Sequence, residues 1–407
     1  MKILVVCQYY YPEPFRLNDI CETLVAEGHT VTVLTGLPNY PTGVINNEYR
    51  WGRKRRELIN GVDVIRVSII GRGQNLIKLS LNYLSFLING SLRALFIKKD
   101  FDVVFVYQQS PITLAIPALV YRKFRGGQKV HLYCLDLWPE SLAAANINFG
   151  SIPYKFLLKI SRRIYKSVDS ISVTSPFFRK YMKEVIGLEH TEDIVYMPQY
   201  AEDLYADLAE APQKQIVEGH KVIDLVYAGN IGEIQNVECI LLAASQLKEM
   251  PWIRWHIIGD GSGCDNIKHM AEYLKLEDTV TFYERQPASS MPEFYSMADA
   301  LLVSLRDNEF ISYTLPGKVQ SYMISGKPII GCINGEVQRV ISDAKCGLCA
   351  PAEDYKALAG IVKDFSCMSQ KDIDKFGENA KTYYDLYFNK KVFMTHILSI
   401  LEKLINK

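Results

Sequence analysis

The sequence predicts an α/β protein built from two doubly wound, Rossmann-like domains that face a central cleft. Three observations predict this fold. Short apolar runs alternate with helical patterns along the 407-residue chain, as in βα units that surround a parallel sheet. The alternation stops at the polar stretch 206–219 and then begins again. Glycine-rich loops follow several strands of the second half, at the edge where open parallel sheets bind ligands.

We therefore expect a first domain at 1–198 and a second at 199–387. The amphipathic end of the chain predicts a terminal helix, 388–407, that packs back on the first domain. In the first domain the predicted strands are 2–7, 30–34, 62–70, 101–106, 129–134, 170–174 and 194–197, and the predicted helices are 19–27, 76–99, 111–124, 151–168 and one that follows Phe178 and ends near Val185.

Two loops of the first domain carry candidate functional side chains. Glu13 and Arg16 lie in the long loop after the first strand, and Asp136 lies at the end of strand 129–134, just after Leu135. Side chains at these strand ends are placed for chemistry or for contact with a sugar. The structural alternatives are a solvated surface loop for Glu13 and Arg16, and a helix-capping role for Asp136.

The second domain repeats the βα pattern. Its predicted strands are 224–228, 252–258, 280–283, 300–304 and 328–332, and its predicted helices are 237–247, 266–274, one that ends near 297, 358–365 and 376–406. Gly229 and Gly232 follow the first of these strands, and Gly259 and Gly261 follow the second. Each glycine pair alone is a weak indication of phosphate binding.

The segment from Thr314 to Lys318 adds a stronger indication. It follows strand 300–304 and lies where the next helix begins, so its backbone N–H groups and the helix dipole favour an anion. Gly317 allows close approach of the backbone, and Lys318 adds a positive charge. With the glycine loops, this segment predicts a site for a nucleotide diphosphate, although an ordinary capped loop would have the same local pattern. The Walker and GxGxxG patterns of kinases and dehydrogenases are absent from the sequence.

Charge is distributed unevenly although the net charge is only +1. Residues 1–199 carry a net charge of +9 and the remainder carries −8, so the first half is expected to meet an anionic partner. Anionic lipid, a phosphorylated acceptor and nucleic acid are all candidates, but no nucleic-acid-binding module is recognisable. The basic run 51–56 is either a solvated face or a membrane contact, and the apolar helix 76–99 is either a core helix or an interfacial one.

The cellular location follows from weaker signals. The N-terminus lacks the pattern of a signal peptide, and no apolar run reaches about 18 residues. Most of the cysteines lie in apolar runs, which is typical of reduced core thiols. We expect a cytoplasmic protein that is peripheral at the inner membrane surface.

With these motifs in hand, the chain resembles the family-4 retaining glycosyltransferases of the GT-B fold, and within them the bacterial O-antigen and capsule enzymes. The resemblance covers nearly the whole chain and rests on the order and spacing of its motifs. In chain order these are Tyr11-Pro-Glu-Pro-Phe-Arg16, Gly28-His-Thr-Val-Thr-Val33, Asn39-Tyr-Pro41, Asp136-Leu-Trp-Pro139, Tyr227-Ala-Gly-Asn-Ile-Gly232, Gly259-Asp-Gly261, Met297-Ala-Asp299, Pro316-Gly-Lys318 and Gly326-Lys-Pro328.

The resemblance implies that the first domain binds a lipid-linked saccharide acceptor and the second binds a nucleotide-sugar, with UDP as the favoured nucleotide. It implies no cofactor and no metal. Asp136 would contact the reacting sugar, Lys318 would hold the diphosphate, and Glu13 and Arg16 would complete the catalytic set. The donor-binding positions would be Gly229, Asn230, Gly232, Gln235, Gly259, Asp260, Gly261, Glu284, Arg285 and Pro287 against the base, and Tyr313, Thr314, Leu315, Pro316, Gly317 and Lys318 at the phosphates and sugar hydroxyls.

The chain also departs from the family pattern. Asn230 and Gln235 stand near places where many relatives have an arginine and a lysine, and Tyr313 and Ser321 stand where many have two glutamates. Two alternatives therefore stay open: a non-catalytic glycosyltransferase-like subunit, and a UDP-sugar 2-epimerase of the same fold. The motif that begins at Asp136 argues against the epimerase.

Overall fold

The computed structural model describes residues 1–73, 75–145 and 150–406, and the last residue of the expected terminal helix, Lys407, lies outside them. The chain forms two compact units. The first contains Met1–Met197 together with Met394–Lys407, and the second contains Pro198–Phe393. Each unit has its own sheet, as the alternating pattern predicts.

The first unit is built on an eight-stranded sheet with the order β3-β4-β2-β1-β5-β6-β7-β8, parallel except for the β3–β4 pair. Its strands are β1 (Lys2–Val6), β2 (Thr30–Thr35), β3 (Arg56–Ile59), β4 (Val62–Arg66), β5 (Val103–Gln108), β6 (Lys129–Cys134), β7 (Ser170–Val173) and β8 (Val195–Tyr196). Its helices include α1 (Arg16–Ala26), α2 (Leu76–Ala94), α3 (Ile116–Tyr121), α4 (Ile152–Tyr165) and α5 (Pro176–Tyr181).

The central strands are apolar on both faces because helices cover both sides of a parallel sheet. All six residues of β5 are buried, and β1 is buried from Ile3 onward. Strand β1 pairs with β2 on one side and with β5 on the other, so the chain reverses its direction of winding there. Loops diverge at such a switch point and leave space for a ligand at the carboxyl ends of the strands.

The second unit has a six-stranded, all-parallel sheet with the order β13-β12-β11-β14-β15-β16. A short antiparallel hairpin, β9 (Ile216–Val217) and β10 (His220–Lys221), precedes it. The sheet strands are β11 (Ile223–Ala228), β12 (Ile253–Ile258), β13 (Val280–Tyr283), β14 (Ala300–Ser304), β15 (Ile329–Cys332) and β16 (Gly347–Ala350). The helices are α6 (Val237–Gln246), α7 (Cys264–Leu274), α8 (Met291–Met297), α9 (Glu309–Ser312), α10 (Gly317–Ile324), α11 (Glu336–Ala344), α12 (Tyr355–Ser366) and α13 (Gln370–Tyr387).

Strand β11 is the switch point of this unit, since it pairs with β12 on one side and β14 on the other. The loop after β11 and the segment after β14 therefore begin side by side. At the opposite edge, the Lys214 ammonium bonds to Asp224 and Asp299, each at 2.7 Å, and ties the amino ends of β11 and β14 together. Burial opposes charge on Asp224, but hydrogen bonds from His256 and Lys214 hold the pKa of this carboxyl below its usual range.

The last helix, α14 (Lys390–Ile405), begins in the second unit, and the greater part of it belongs to the first. Its buried side chains recur at helical spacing, and they include Met394, Ile397, Leu401 and Leu404. Ile400 and Leu404 line the same groove as Tyr165 and Ile171, which are residues of the first unit.

Several predicted boundaries were wrong, each for a local reason. The pattern 376–406 is two helices, because the Asn389 side chain accepts the Val392 N–H and starts α14. The polar stretch 206–219, where the alternation stops, contains only the two-residue strand β9. Arg56, at the end of the basic run, opens the edge strand β3, which is too short and too polar to recognise from its sequence.

Candidate active site

Two glycine loops lie against each other at the carboxyl edge of the second unit. Gly229 follows β11, and Gly259 and Gly261 follow β12; all three have positive φ values, +146°, +148° and +157°. A Cβ atom on Gly259 would overlap the carbonyl oxygen of Gly229, and one on Gly261 would overlap that of Ile231. The loops also share backbone hydrogen bonds, including Ile231 N–H to Asp260 O at 2.9 Å. Only glycine permits this close backbone approach.

The predicted polar residues of the first glycine loop bond to each other. The Gln235 Oε1 atom accepts hydrogen bonds from Asn230 Nδ2 at 2.8 Å and from Gly232 N at 3.2 Å. In the second loop, Asp260 Oδ1 accepts from the Gly261 N–H at 2.7 Å. These side chains therefore fix the shape of the loops, while Asn230 and Asp260 also remain exposed to a ligand.

Lys318 lies on the first turn of α10, and its ammonium group points into the first glycine loop. A Cβ atom on Gly229 would lie only 2.7 Å from Lys318 Nζ. The ammonium stands 3.9 Å from the centre of the Tyr227 ring. It is buried and has no hydrogen-bond partner among the residues that the structure describes. Because burial disfavours the charged form, the pKa of Lys318 falls to about 7.

Two tyrosines hold this arrangement in place. The Tyr227 hydroxyl donates to Asn230 O at 2.7 Å, so the ring beneath Lys318 also anchors the glycine loop. The Tyr322 hydroxyl, one turn along α10, is bonded to Ala228 O at 3.2 Å and fixes the helix against the end of β11. Tyr227 opens one of the family motifs, but the sequence does not indicate these hydrogen bonds, since an aromatic residue in a strand or helix is usually a core residue.

The segment just before α10 uses its side chains locally. Tyr313 is buried, and its hydroxyl donates to Glu309 Oε1 at 2.7 Å. The Thr314 hydroxyl donates to Ile311 O at 2.8 Å. Leu315 and Pro316 complete the turn, and Pro316 precedes the first helical residue, Gly317. This segment therefore offers a ligand mainly the backbone N–H groups that begin α10.

Tyr313 and Ser321 stand at the two positions where many relatives have glutamates, and the side chains of both form hydrogen bonds within the protein. Ser321 donates to Gly317 O at 3.3 Å within α10. Glu309, which the sequence reasoning missed, supplies a carboxylate near Tyr313. The predicted base-side residues Glu284, Arg285 and Pro287 are exposed in the loop after β13. That loop begins beside the second glycine loop, since Gly259 N–H donates to Tyr283 O at 3.4 Å.

The first unit carries a different polar cluster at its own carboxyl edge. Glu13 is buried, and its Oε1 atom accepts from the backbone N–H groups of Asn39 at 2.8 Å and Tyr40 at 2.6 Å. Burial raises the pKa of Glu13 to about 7 against these hydrogen bonds. Glu13 and Tyr40 line a cavity of about 710 Å³. Arg16 opens helix α1 and is half-buried.

Asp136 lies beyond the end of β6. Its carboxylate accepts a hydrogen bond from Ser110, whose hydroxyl also lies 2.8 Å from that of Ser141. Burial raises the pKa of Asp136. The Gln108 side chain donates to Asp136 O at 3.0 Å, which holds the loop after β6 against the end of β5. Side chains at and just after the end of β5, Gln108 and Ser110, therefore hold Asp136 in position.

A buried amide network, which sequence reasoning missed as part of the site, supports this edge. Asn82 of α2 is fully buried and bonds to Gln8 at 2.6 Å, to Ile70 O at 2.6 Å and to Asn39 at 3.3 Å. The available signal was Asn82 itself, a polar residue that interrupts an apolar helix. The network fixes the loops after β1 and β2 around Glu13.

The family follows from two models that match consecutive parts of the chain. The model of the glycosyl transferase 4-like domain matches residues 15–198, and that of the glycosyl transferases group 1 matches residues 209–383. This chain belongs to the family-4 glycosyltransferases of the GT-B fold. The predicted fold class and the membership of family 4 are confirmed, while the retaining mechanism and the O-antigen and capsule branch stay predictions.

Relatives and solved structures agree with this membership. A protein named as a colanic acid biosynthesis glycosyl transferase, WcaI of Escherichia coli (strain K12), is 26% identical over 344 residues, which are 80% of this chain and 82% of WcaI. A sucrose-phosphate synthase from Thermosynechococcus elongatus has a TM-score of 0.74 at 15% identity and covers 100% of this chain and 99% of its own. Anabaena Alr3699/HepE in complex with UDP and glucose has a TM-score of 0.68 at 14% identity and covers 99% of both chains. At these identities the structural likeness concerns the fold.

Within residues 1–73, 75–145 and 150–406, no three His, Cys, Asp or Glu side chains are grouped so that they could hold a metal ion. No helix in the described part of the chain is both long and apolar enough to cross a membrane.

The contact between the glycine loops predicts a strong effect of Gly259→Ala. The new methyl group would overlap Gly229 O at a backbone φ that disfavours side chains, so both loops must move and stability should fall by at least about 1–3 kcal/mol. Gly360→Ala on α12 is the matched control, because a Cβ atom there meets nothing within 4 Å. Thermal unfolding should show a lower midpoint for Gly259→Ala only. Equal midpoints for the two variants would contradict the close approach.

Proposed function

We propose that this glycosyltransferase moves a sugar from a nucleotide-sugar, with UDP as the preferred nucleotide, to a lipid-linked saccharide during assembly of a surface polysaccharide. The observation that best supports this proposal is the position of the Lys318 ammonium. It is buried without a hydrogen-bond partner among the described residues, and it lies beside the backbone of Gly229, which has no side chain. A buried cation without a counter-charge is costly, and the diphosphate of a donor would supply the missing charge. The colanic acid function named for WcaI supports the polysaccharide product.

The reaction requires stabilisation of charge that develops as the sugar leaves. When the bond between the anomeric carbon and the phosphate oxygen breaks, the diphosphate departs with the electron pair and gains negative charge. Lys318 and the first N–H groups of α10 would stabilise that charge, each preorganised donor contributing about 3 kcal/mol. An acceptor hydroxyl forms the new bond to the anomeric carbon, and a phosphate oxygen of the leaving group takes its proton. The hydroxyl attacks the face that the diphosphate leaves, so the configuration of the sugar is retained.

The first unit would present the acceptor. Burial raises the pKa of Glu13 to about 7, so this carboxyl can share a proton with a sugar hydroxyl near neutral pH. Burial also raises the pKa of Asp136. Asp136 would orient the transferred sugar, and Glu13 with Arg16 would contact the acceptor near the cavity of the first unit. The excess positive charge of residues 1–199 favours binding to the anionic cytoplasmic face of a membrane, where a lipid-linked acceptor would reside.

The test is turnover of UDP-, GDP- and dTDP-sugars with a prenyl-diphosphate-linked sugar as acceptor. We expect release of the nucleotide and elongation of the acceptor with one donor, most readily a UDP-sugar. Donor binding without turnover would indicate the non-catalytic subunit. Formation of a 2-epimer without an acceptor would indicate the epimerase.

Removal of the Lys318 charge should weaken donor binding specifically. In Lys318→Ala, the affinity for the productive nucleotide-sugar should fall by about 10- to 100-fold, as expected for the loss of a charged hydrogen bond of about 1.5–3 kcal/mol. Lys268→Ala, at an exposed position on α7 of the same unit, is the matched control and should bind normally. Isothermal titration calorimetry measures both variants. Unchanged binding by Lys318→Ala would refute the phosphate assignment.

Donor binding should also depend on pH. The pKa of Lys318 is about 7 in the free protein, and an anionic diphosphate favours the ammonium form, so binding takes up a proton. Affinity for a UDP-sugar should be highest below pH 7 and fall by up to about tenfold per pH unit above it. The diphosphate of a nucleotide-sugar does not itself titrate in this range.

Lys318→Ala should remove this pH dependence, measured by calorimetry between pH 6 and about 8.5. Glu13 has a pKa raised to the same region, but it belongs to the first unit, so Glu13→Gln should keep the wild-type slope of donor affinity against pH. A slope that survives in Lys318→Ala would exclude this lysine as its source.

A further inference from the structure

Helix α2 exposes a continuous apolar stripe on the first unit. Ile77, Leu81, Leu84, Ile88 and Leu92 recur at helical spacing, and between 41% and 73% of each residue's surface is exposed. The opposite face of the same helix is buried through Asn82, Phe86, Gly90 and Ala94, so α2 is packed on one side and uncovered on the other. Isolated exposed apolar residues are ordinary, but a five-residue stripe marks a surface that meets an apolar partner.

A groove beside this stripe combines an apolar wall with positive charge. It has a volume of about 670 Å³ and is lined by Leu81 of α2, by Ile70 and by Trp51, whose side chain is 92% exposed. Its charged lining residues are Arg50, Arg55 and Lys78. No carboxylate occurs among the described residues that line it, and α2 itself carries no acidic residue.

One of these cations has an unused hydrogen-bond donor. The Arg55 Nη1 atom is buried and has no partner among the described residues, and burial lowers the pKa of this guanidinium. A buried guanidinium donor beside apolar side chains suits an anionic group that is attached to a hydrocarbon. Phospholipid headgroups have this chemistry.

We propose that the α2 stripe and its adjoining groove form a docking surface for an anionic phospholipid bilayer. The helix has 19 residues, about 28 Å in length, and would lie in the interface with its apolar stripe among the acyl chains. Trp51 takes the interfacial position that tryptophan prefers, and Arg50, Arg55 and Lys78 meet lipid phosphates. Only the biological purpose of this docking surface, which is to bring the enzyme to a lipid-linked acceptor, rests on the proposed function.

Charge favours a bilayer over a second copy of the chain. In a symmetric dimer through this face, the same groups from both copies would approach each other, so Arg50, Arg55 and Lys78 would be brought near their counterparts. Like charges brought together at an interface oppose such an association. An anionic bilayer instead satisfies the apolar stripe and the cations together.

The groove also leads toward the candidate acceptor cavity. Val44, Ile45 and Arg50 line both the groove and the cavity that contains Glu13. A bilayer at the α2 stripe would therefore lie on the side from which the headgroup of a lipid-linked acceptor enters that cavity. The groove and the cavity are adjacent in the structure because they share these three lining residues.

Vesicle flotation of the full-length protein tests the proposal. Wild type should bind vesicles that contain phosphatidylglycerol and bind phosphatidylcholine vesicles far more weakly, and added salt should weaken the binding. The double variant Ile77→Gln, Leu84→Gln should bind the anionic vesicles at least about tenfold less tightly, because it removes apolar area from the stripe. Tyr273→Gln, Leu386→Gln is the matched control, since both side chains are exposed on helices of the second unit.

A charge variant completes the test. Arg55→Gln, Lys78→Gln should lose binding to anionic vesicles while its affinity for a soluble UDP-sugar stays at the wild-type value, which also shows that it is folded. Equal flotation of wild type and both α2-face variants would overturn the proposal. So would a dimer in solution that the Ile77→Gln, Leu84→Gln variant converts to a monomer, because the face would then bind a second copy. Vesicle binding without any sugar transfer would refute the proposed function alone.

Discussion

The buried ammonium of Lys318 is the constraint on which the arrangement of the second unit depends. A lysine that loses water without gaining a counter-charge is destabilising, and its pKa falls to about 7 in response. The face of Tyr227, 3.9 Å from the nitrogen to the ring centre, offsets part of this cost, since a desolvated cation over an aromatic ring gains up to about 2 kcal/mol. The rest is left for a ligand, so the protein keeps an unsatisfied cation at the place where the diphosphate is proposed to bind.

The glycine loops follow from this constraint. A side chain at Gly229 would occupy the space that the ammonium fills, so the loop after β11 must present bare backbone there. Gly229 can take its position only if Gly259 lacks a Cβ atom, because the two loops are in backbone contact. The glycine loops after β11 and β12 therefore depend on each other for their positions. Tyr227 and Tyr322 secure these loops to β11 and α10 through their hydroxyl groups.

Local patterns in the sequence predicted much of the second unit. The apolar runs predicted the observed bounds of β13 and β14. The position of Gly317 and Lys318 at a helix start was also predictable, since it depends on neighbouring residues. The pairing of Lys318 with Tyr227 was not, because it depends on the strand order that places β11 beside β14. The hydrogen bond from Asn230 to Gln235 was missed for a related reason: the sequence shows two polar side chains in a glycine loop but not the fold of that loop. The buried role of Asn82 likewise requires knowledge of which loops pack over α2.

The two units share a topology but differ in the chemistry of their carboxyl edges. In the second unit the switch point is lined by backbone N–H groups and one cation, which suits a diphosphate whose charge changes during reaction. In the first unit the corresponding edge is filled by neutral amides and by the carboxyls Glu13 and Asp136, whose pKa values are raised by burial. Such groups exchange hydrogen bonds with hydroxyls and would repel a second anion. A phosphate-bearing donor therefore suits the second unit and a hydroxyl-bearing saccharide the first, since the cations Arg55 and Lys78 line the neighbouring groove and not the cavity that contains Glu13.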